Sequence, residues 1–168
     1  MELLKYSLQK QLETTCVHEI NLSTERVALV SANRRLYKFQ VCIRICIDIV
    51  FGLARGDPHM KYALQVVQCE TKKAVNMFNK FKREINHFGD VDKVQTLLNV
   101  HVSDMHMISR ENKEQLAKST CTMHDMMWDI NIIRRRVMNR IPQLKNALNI
   151  TNTHKNALES TLYNMDSP

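Results

Sequence analysis

The sequence predicts an all-α fold: an elongated coiled-coil or helical bundle of three long helices plus a short C-terminal helical tail. Three observations carry that expectation. Turn residues are scarce, with three Gly and three Pro in 168 residues, so the elements are few and long. A seven-residue apolar repeat runs through Leu22, Leu29, Leu36, Ile43 and Val50, with Ala32, Phe39, Cys46 and Leu53 at the second seam position. That is the stripe of a coiled coil. The chain is also punctuated twice by a Gly-Asp pair, at Gly56-Asp57 and Gly89-Asp90. No composition shift marks a boundary, so residues 1–168 read as a single helical coiled-coil domain.

The first helix is expected over about 2–54. It has a rival, because Tyr37, Phe39, Val41, Ile43, Ile45, Ile47, Ile49 and Phe51 alternate as in a β-strand. Helix is preferred for 37–51 because the heptad extends beyond that window and no second alternating stretch could pair with it. Arg55-Gly56-Asp57 is the tripeptide that integrins read, but its chemistry here is punctuation. Gly56 suits the left-handed position after a helix, Asp57 is a favoured N-cap, and Pro58 suits the first helical turn.

The second helix is expected over about 58–88, with a seam of Met60, Val67, Ala74, Phe81 and Phe88, and Phe78 and Ile85 alongside. Gly89 and Asp90 repeat the stop and the cap. The third is expected over 91–141. Its seam shifts by four residues across the polar run "SRENKEQ" at 109–115, which reads as a stutter. Asn112 then falls in the seam, fixing register or marking a solvated hinge. Pro142 should end or kink the helix at Ile141, leaving a short tail over 142–165. At about 1.5 Å per residue, a helix of some 50 residues spans about 75 Å, which points to a bundle packed against other chains.

The net charge of +7 suits an acidic partner such as nucleic acid, an anionic membrane or acidic subunits. The densest basic clusters are Arg34-Arg35, Lys80 to Arg83, and Arg134 to Arg136. The start of the sequence lacks the apolar run of a signal peptide, and charges interrupt Leu36 to Leu53, so no membrane span is expected. Five cysteines with no CxxC pair read as reduced thiols of a cytoplasmic protein. Asn21 and Asn149 open sequons that matter only in a secreted chain.

No GxGxxG or P-loop is present. Cys121 with His124, and His101 with Asp104, are two-ligand fragments where structural zinc wants four. The expectation is therefore no enzyme, no catalytic residue, no metal site and no cofactor. Nucleic acid is disfavoured as a partner because no aromatic-basic module is evident. The residues expected to form the partner-binding seam are Leu36, Ile43, Phe78, Phe81, Met123, Ile130 and Ile133. Residues 121–138 admit two readings. Met123, Met126 and Met127 with Trp128 could form an adaptable groove, or Met126, Ile130 and Ile133 are core. Trp128, Arg134, Arg135 and Arg136 are the exposed contacts expected there.

The run "MFNKFKREINHF" (77–88), continued by residues 97–142 with the late Trp128 and the closing Ile141-Pro142, resembles the closing coiled coil of a small augmin (HAUS) complex subunit. The resemblance covers under half of the chain. It implies a non-catalytic subunit, partnered by other coiled-coil chains, in the complex that binds spindle microtubules and recruits γ-tubulin for branching nucleation in mitosis. It implies a cytoplasmic, spindle-associated cytoskeletal protein. Two other classes stay open at this stage: a coiled-coil adaptor or tether in membrane traffic, and a secreted four-helix cytokine-like protein.

Overall fold

The computed structural model describes residues 1–60, 62–109 and 111–167, and among them there is helix and no strand. Four α-helices follow in order: α1 (Glu2–Ala54), α2 (Ala63–Ile85), α3 (Val91–Met107) and α4 (Lys113–Asp166). Two 3-10 turns, Pro58–Met60 and Asn86–Phe88, flank α2. The chain forms two compact units. Unit 1 is residues 1–30 with 138–168, and unit 2 is residues 31–137.

The α1 terminus follows from its chemistry. Gly56 has φ of 71°, and its N–H donates to Leu53 O at 3.0 Å while Asp57 N–H donates to Gly52 O at 3.2 Å. That is a Schellman closure, which needs a residue free to take the left-handed region. Asp57 Oδ1 accepts from His59 N–H at 2.9 Å, but the helix it was expected to cap is only a 3-10 turn. The second α-helix is Ala63–Ile85 rather than 58–88, and Lys61 of the expected span lies outside the described residues.

The second Gly-Asp pair is not a copy of the first. Asp90 caps α3 by accepting from Lys93 N–H at 2.9 Å, but Gly89 is extended, with φ of 172°. Glycine is required there for room: a Cβ would sit 2.6 Å from Ile133 Cγ1.

The expected helix over 91–141 is two helices. Ile108 turns to an extended conformation and is buried. Asn112 is exposed, and its Oδ1 accepts from Gln115 N–H at 3.2 Å, so it caps α4. The four-residue shift in the seam is a chain break, and Asn112 is its cap rather than a seam residue. Arg110 in that run lies outside the described residues.

Pro142 does not end α4, and residues 142–165 are not a separate tail. The helix runs to Asp166 with Pro142 exposed on its surface. Packing holds it there: the heptad continues into unit 1 as buried Leu144, Thr151 and Leu158. The Thr151 and Thr153 hydroxyls donate to Ala147 O and Asn149 O at 2.8 and 2.9 Å, which absorbs their competition with the backbone.

Unit 1 pairs the two segments through a thin apolar seam. Its buried apolar side chains among the described residues are Leu22, Leu29, Leu144 and Leu158. Ion pairs flank the seam: Arg140 on Glu25 through two bonds of 3.1 and 3.4 Å, Lys155 on Glu19 at 3.0 Å, and Lys5 on Asp166. Such surface pairs contribute little individually.

Unit 2 packs four helical segments around one core. Phe39 of α1 and Phe78 and Phe81 of α2 form a closed triangle, with ring centroids 5.5 to 6.1 Å apart and every ring inaccessible to solvent. A polar thread crosses that core. His101 Nε2 of α3 lies 2.8 Å from Thr71 Oγ1 of α2, and its Nδ1 lies 3.4 Å from Ser119 Oγ of α4. Thr71 Oγ1 in turn lies 3.9 Å from Cys46 Sγ of α1. The imidazole therefore ties α3 to α2 and α4, and the thread reaches α1 through Thr71.

Candidate partner interface

The seven residues expected to form the partner-binding seam lie inside this chain. Leu36, Ile43, Phe78, Phe81, Met123 and Ile130 are fully buried in unit 2, and Ile133 is 1% exposed. Their apolar faces are covered by the chain's own helices, so a folded unit 2 cannot offer them to a partner. The Met-rich patch resolves the same way. Met123 and Met126 are core, Met127 is half-buried, and only Trp128 stands out, at 70% exposure.

The three arginines expected as one exposed contact have three different settings. Arg134 is half-buried, donating to Asn33 Oδ1 at 3.2 Å and Gln40 Oε1 at 3.1 Å, with its guanidinium 5.1 Å above the Tyr37 ring. It is a strut between α4 and α1. Arg136 donates to Phe88 O at 2.9 Å and holds the second 3-10 turn. Arg135 alone projects outward with no bonded neighbour among the described residues.

The fragments considered for metal or nucleophilic chemistry are also separated. His101 turns to Thr71 and Ser119, and Cys121 and His124 face solvent. Among the described residues, no group of three or more His, Cys, Asp or Glu side chains is placed to hold a metal. Burial depresses the His101 pKa to about 4 and pushes the Cys46 thiol up to about 12, so both are neutral core groups near pH 7. The five cysteines are unpaired. No helix among the described residues is long and apolar enough to cross a membrane.

The surface most open to a partner is one that the dominant heptad conceals. In unit 1, α1 carries a second seven-residue pattern on the side away from Leu22 and Leu29. Tyr6, Glu13, Ile20 and Val27 form one row, and Leu3, Lys10, Val17 and Thr24 the other. Its five apolar members are all well exposed, Ile20 at 63% and Val27 at 68%. Each would gain about 1.5–3 kcal/mol if a partner covered it. Lys10, Glu13 and Thr24 mask the repeat in a scan for unbroken seams, but reading both registers of α1 reveals it. Seen beside known proteins, the chain matches no family model, no curated protein and no solved structure.

Proposed function

We propose that the protein is a non-enzymatic coiled-coil subunit of a multiprotein complex, augmin-like, that helps recruit γ-tubulin to spindle microtubules in mitosis. The observation that supports a subunit role is the exposed second stripe of α1, Leu3, Tyr6, Val17, Ile20 and Val27, in a unit whose own apolar core is four leucines. A helix apolar on two opposite sides is suited to neighbours on both, and a seven-residue period selects a helical neighbour. The augmin identity rests on the resemblance over residues 77–88 and 97–142.

The test is affinity purification of the tagged chain from mitotic cells, beside a variant carrying Ile20→Asp and Val27→Asp. Both positions are exposed, so the variant should keep its helicity. Recovery of a fixed set of helical subunits with γ-tubulin, lost in the variant, is the expected result. Undiminished recovery with the variant would remove the α1 stripe as the docking face. Recovery of vesicle or lysosome tethers instead would replace the spindle function. Secretion with glycans on Asn21 or Asn149 would overturn the cytoplasmic assignment.

A further inference from the structure

The net positive charge lies in one unit. Residues 31–137 hold 18 of the 24 Lys and Arg but 11 of the 17 Asp and Glu, so the whole surplus of +7 lies in unit 2 and unit 1 is neutral. Within unit 2 the fold joins two basic clusters that are far apart in sequence. Arg35 Nη1 of α1 donates to Lys80 O of α2 at 3.2 Å and lies 3.7 Å from Glu84 Oε1. With Phe39 on Phe78 and Cys46 on Thr71, this fixes an antiparallel pairing of α1 and α2. By that register Lys38, one turn along from Arg35, falls on the same outer side of the pair as Arg34 and Lys80, where Arg35 and Lys73 are already paired with Glu84 and Glu70. The Arg34, Lys38 and Lys80 side chains are exposed and none has an ion-pair partner among the described residues.

The same face has an apolar half. Val41 and Ile45 continue the row of Lys38 along α1, and both are about two-fifths exposed. A nucleic-acid face would present open rings for base stacking. The exposed rings of α1 in this unit instead each carry an arginine over one face, Arg134 on Tyr37 at 5.1 Å and Arg55 on Phe51 at 4.1 Å. Phosphate would also leave Val41 and Ile45 unused.

We infer that the outer α1–α2 face of unit 2 docks an acidic amphipathic helix of a protein partner, its carboxylates on Arg34, Lys38 and Lys80 and its apolar side on Val41 and Ile45. The inference stands on unit 2 alone and does not depend on the assembly role assigned to the unit 1 stripe. The recognition is steered by charge and fixed in register by the apolar half.

The experiment is fluorescence anisotropy on the full chain with two labelled probes: a helical peptide bearing glutamates and leucines at seven-residue spacing, and a single-stranded oligonucleotide of equal charge. The peptide should bind more tightly, and about tenfold more weakly after Lys38→Glu. It should also weaken after Ile45→Ser. Arg135→Glu, the same change of charge on α4, should alter its affinity less than about twofold. Far-UV circular dichroism checks that each variant stays helical. Tighter binding of the oligonucleotide would make this a nucleic-acid face. Equal losses from Lys38→Glu and Arg135→Glu, no effect of Ile45→Ser, or no peptide binding would each overturn the proposal.

Discussion

His101 makes unit 2 sensitive to mild acid, and the effect can be sized from its surroundings. The ring is inaccessible to solvent, and the groups bonded to it are two hydroxyls, Thr71 and Ser119, with no carboxylate among them. Cys46, next along the thread, keeps its proton because burial raises its pKa to about 12. A cation formed there has no counter-charge, so burial holds the ring neutral down to about pH 4, against 6.5 when solvated. The unfolded chain accepts the proton below pH 6.5 and the folded chain does not. Stability contributed by the neutral ring is therefore complete above pH 6.5 and falls as the pH drops toward 4. At about 1.4 kcal/mol per pH unit the total is about 3 kcal/mol. Urea unfolding followed by circular dichroism, at several pH values in that window, should show this loss in the native chain and not in His101→Gln. Other groups titrate too, so the difference between the two chains is the readout. NMR of the ring gives a direct check. A midpoint near 6.5 in the folded protein, or identical pH slopes in the two chains, would refute the reasoning.

Gly89→Ala should destabilise unit 2 by about 1–3 kcal/mol, because its methyl would meet Ile133 Cγ1 at 2.6 Å; in an Ile133→Ala background, which lacks that carbon, the same Gly89→Ala change should cost less in thermal melts. Ile130→Asp should unfold unit 2 rather than merely detach a partner, since its side chain is wholly buried in this chain; a variant with native circular dichroism and native urea midpoint would contradict that placement.

Much of the fold was legible because certain residues have few alternative uses. The end of α1 follows from Gly56, whose left-handed backbone few other residues adopt, and the start of α3 follows from the Asp90 cap. The break at 108–112 was not legible, because Asn112 serves equally well as a polar seam residue or as an N-cap. Ile108 going extended is a tertiary outcome. The continuity of α4 through Pro142 was hidden for a related reason. Local chemistry says stop, at a cost of about 3 kcal/mol for a proline in a helix interior. Buried Leu144, Thr151 and Leu158, with Arg140 on Glu25, outweigh it from outside the local window. At the candidate interface, the heptad marked Leu36, Ile43, Phe78, Phe81, Met123, Ile130 and Ile133 as a seam for partner chains, and all seven are buried within this chain. Periodicity reports that a side chain is covered, not which chain covers it, and here the cover is internal.

The ambiguity over residues 37–51 has a physical consequence in the folded protein. A segment apolar at every second position gives a strand one apolar face, but gives a helix apolar residues all round. As a helix, α1 buries Phe39, Ile43, Cys46 and Val50 and leaves Tyr37, Val41, Ile45 and Phe51 at the surface. Two of these four have an arginine over one face of the ring, Tyr37 from Arg134 and Phe51 from Arg55. The other two, Val41 and Ile45, have no such cover and lie in the same row as Lys38. In unit 1 the same helix again leaves one side apolar, at Val17, Ile20 and Val27. α1 thus carries more apolar surface than its own chain buries, in both units. Isolated exposed aliphatic residues are ordinary on soluble proteins, but rows at helical spacing suit a continuous contact with another helix. The surplus on α1, more than the buried heptad, is the surface on which both proposed contacts rest.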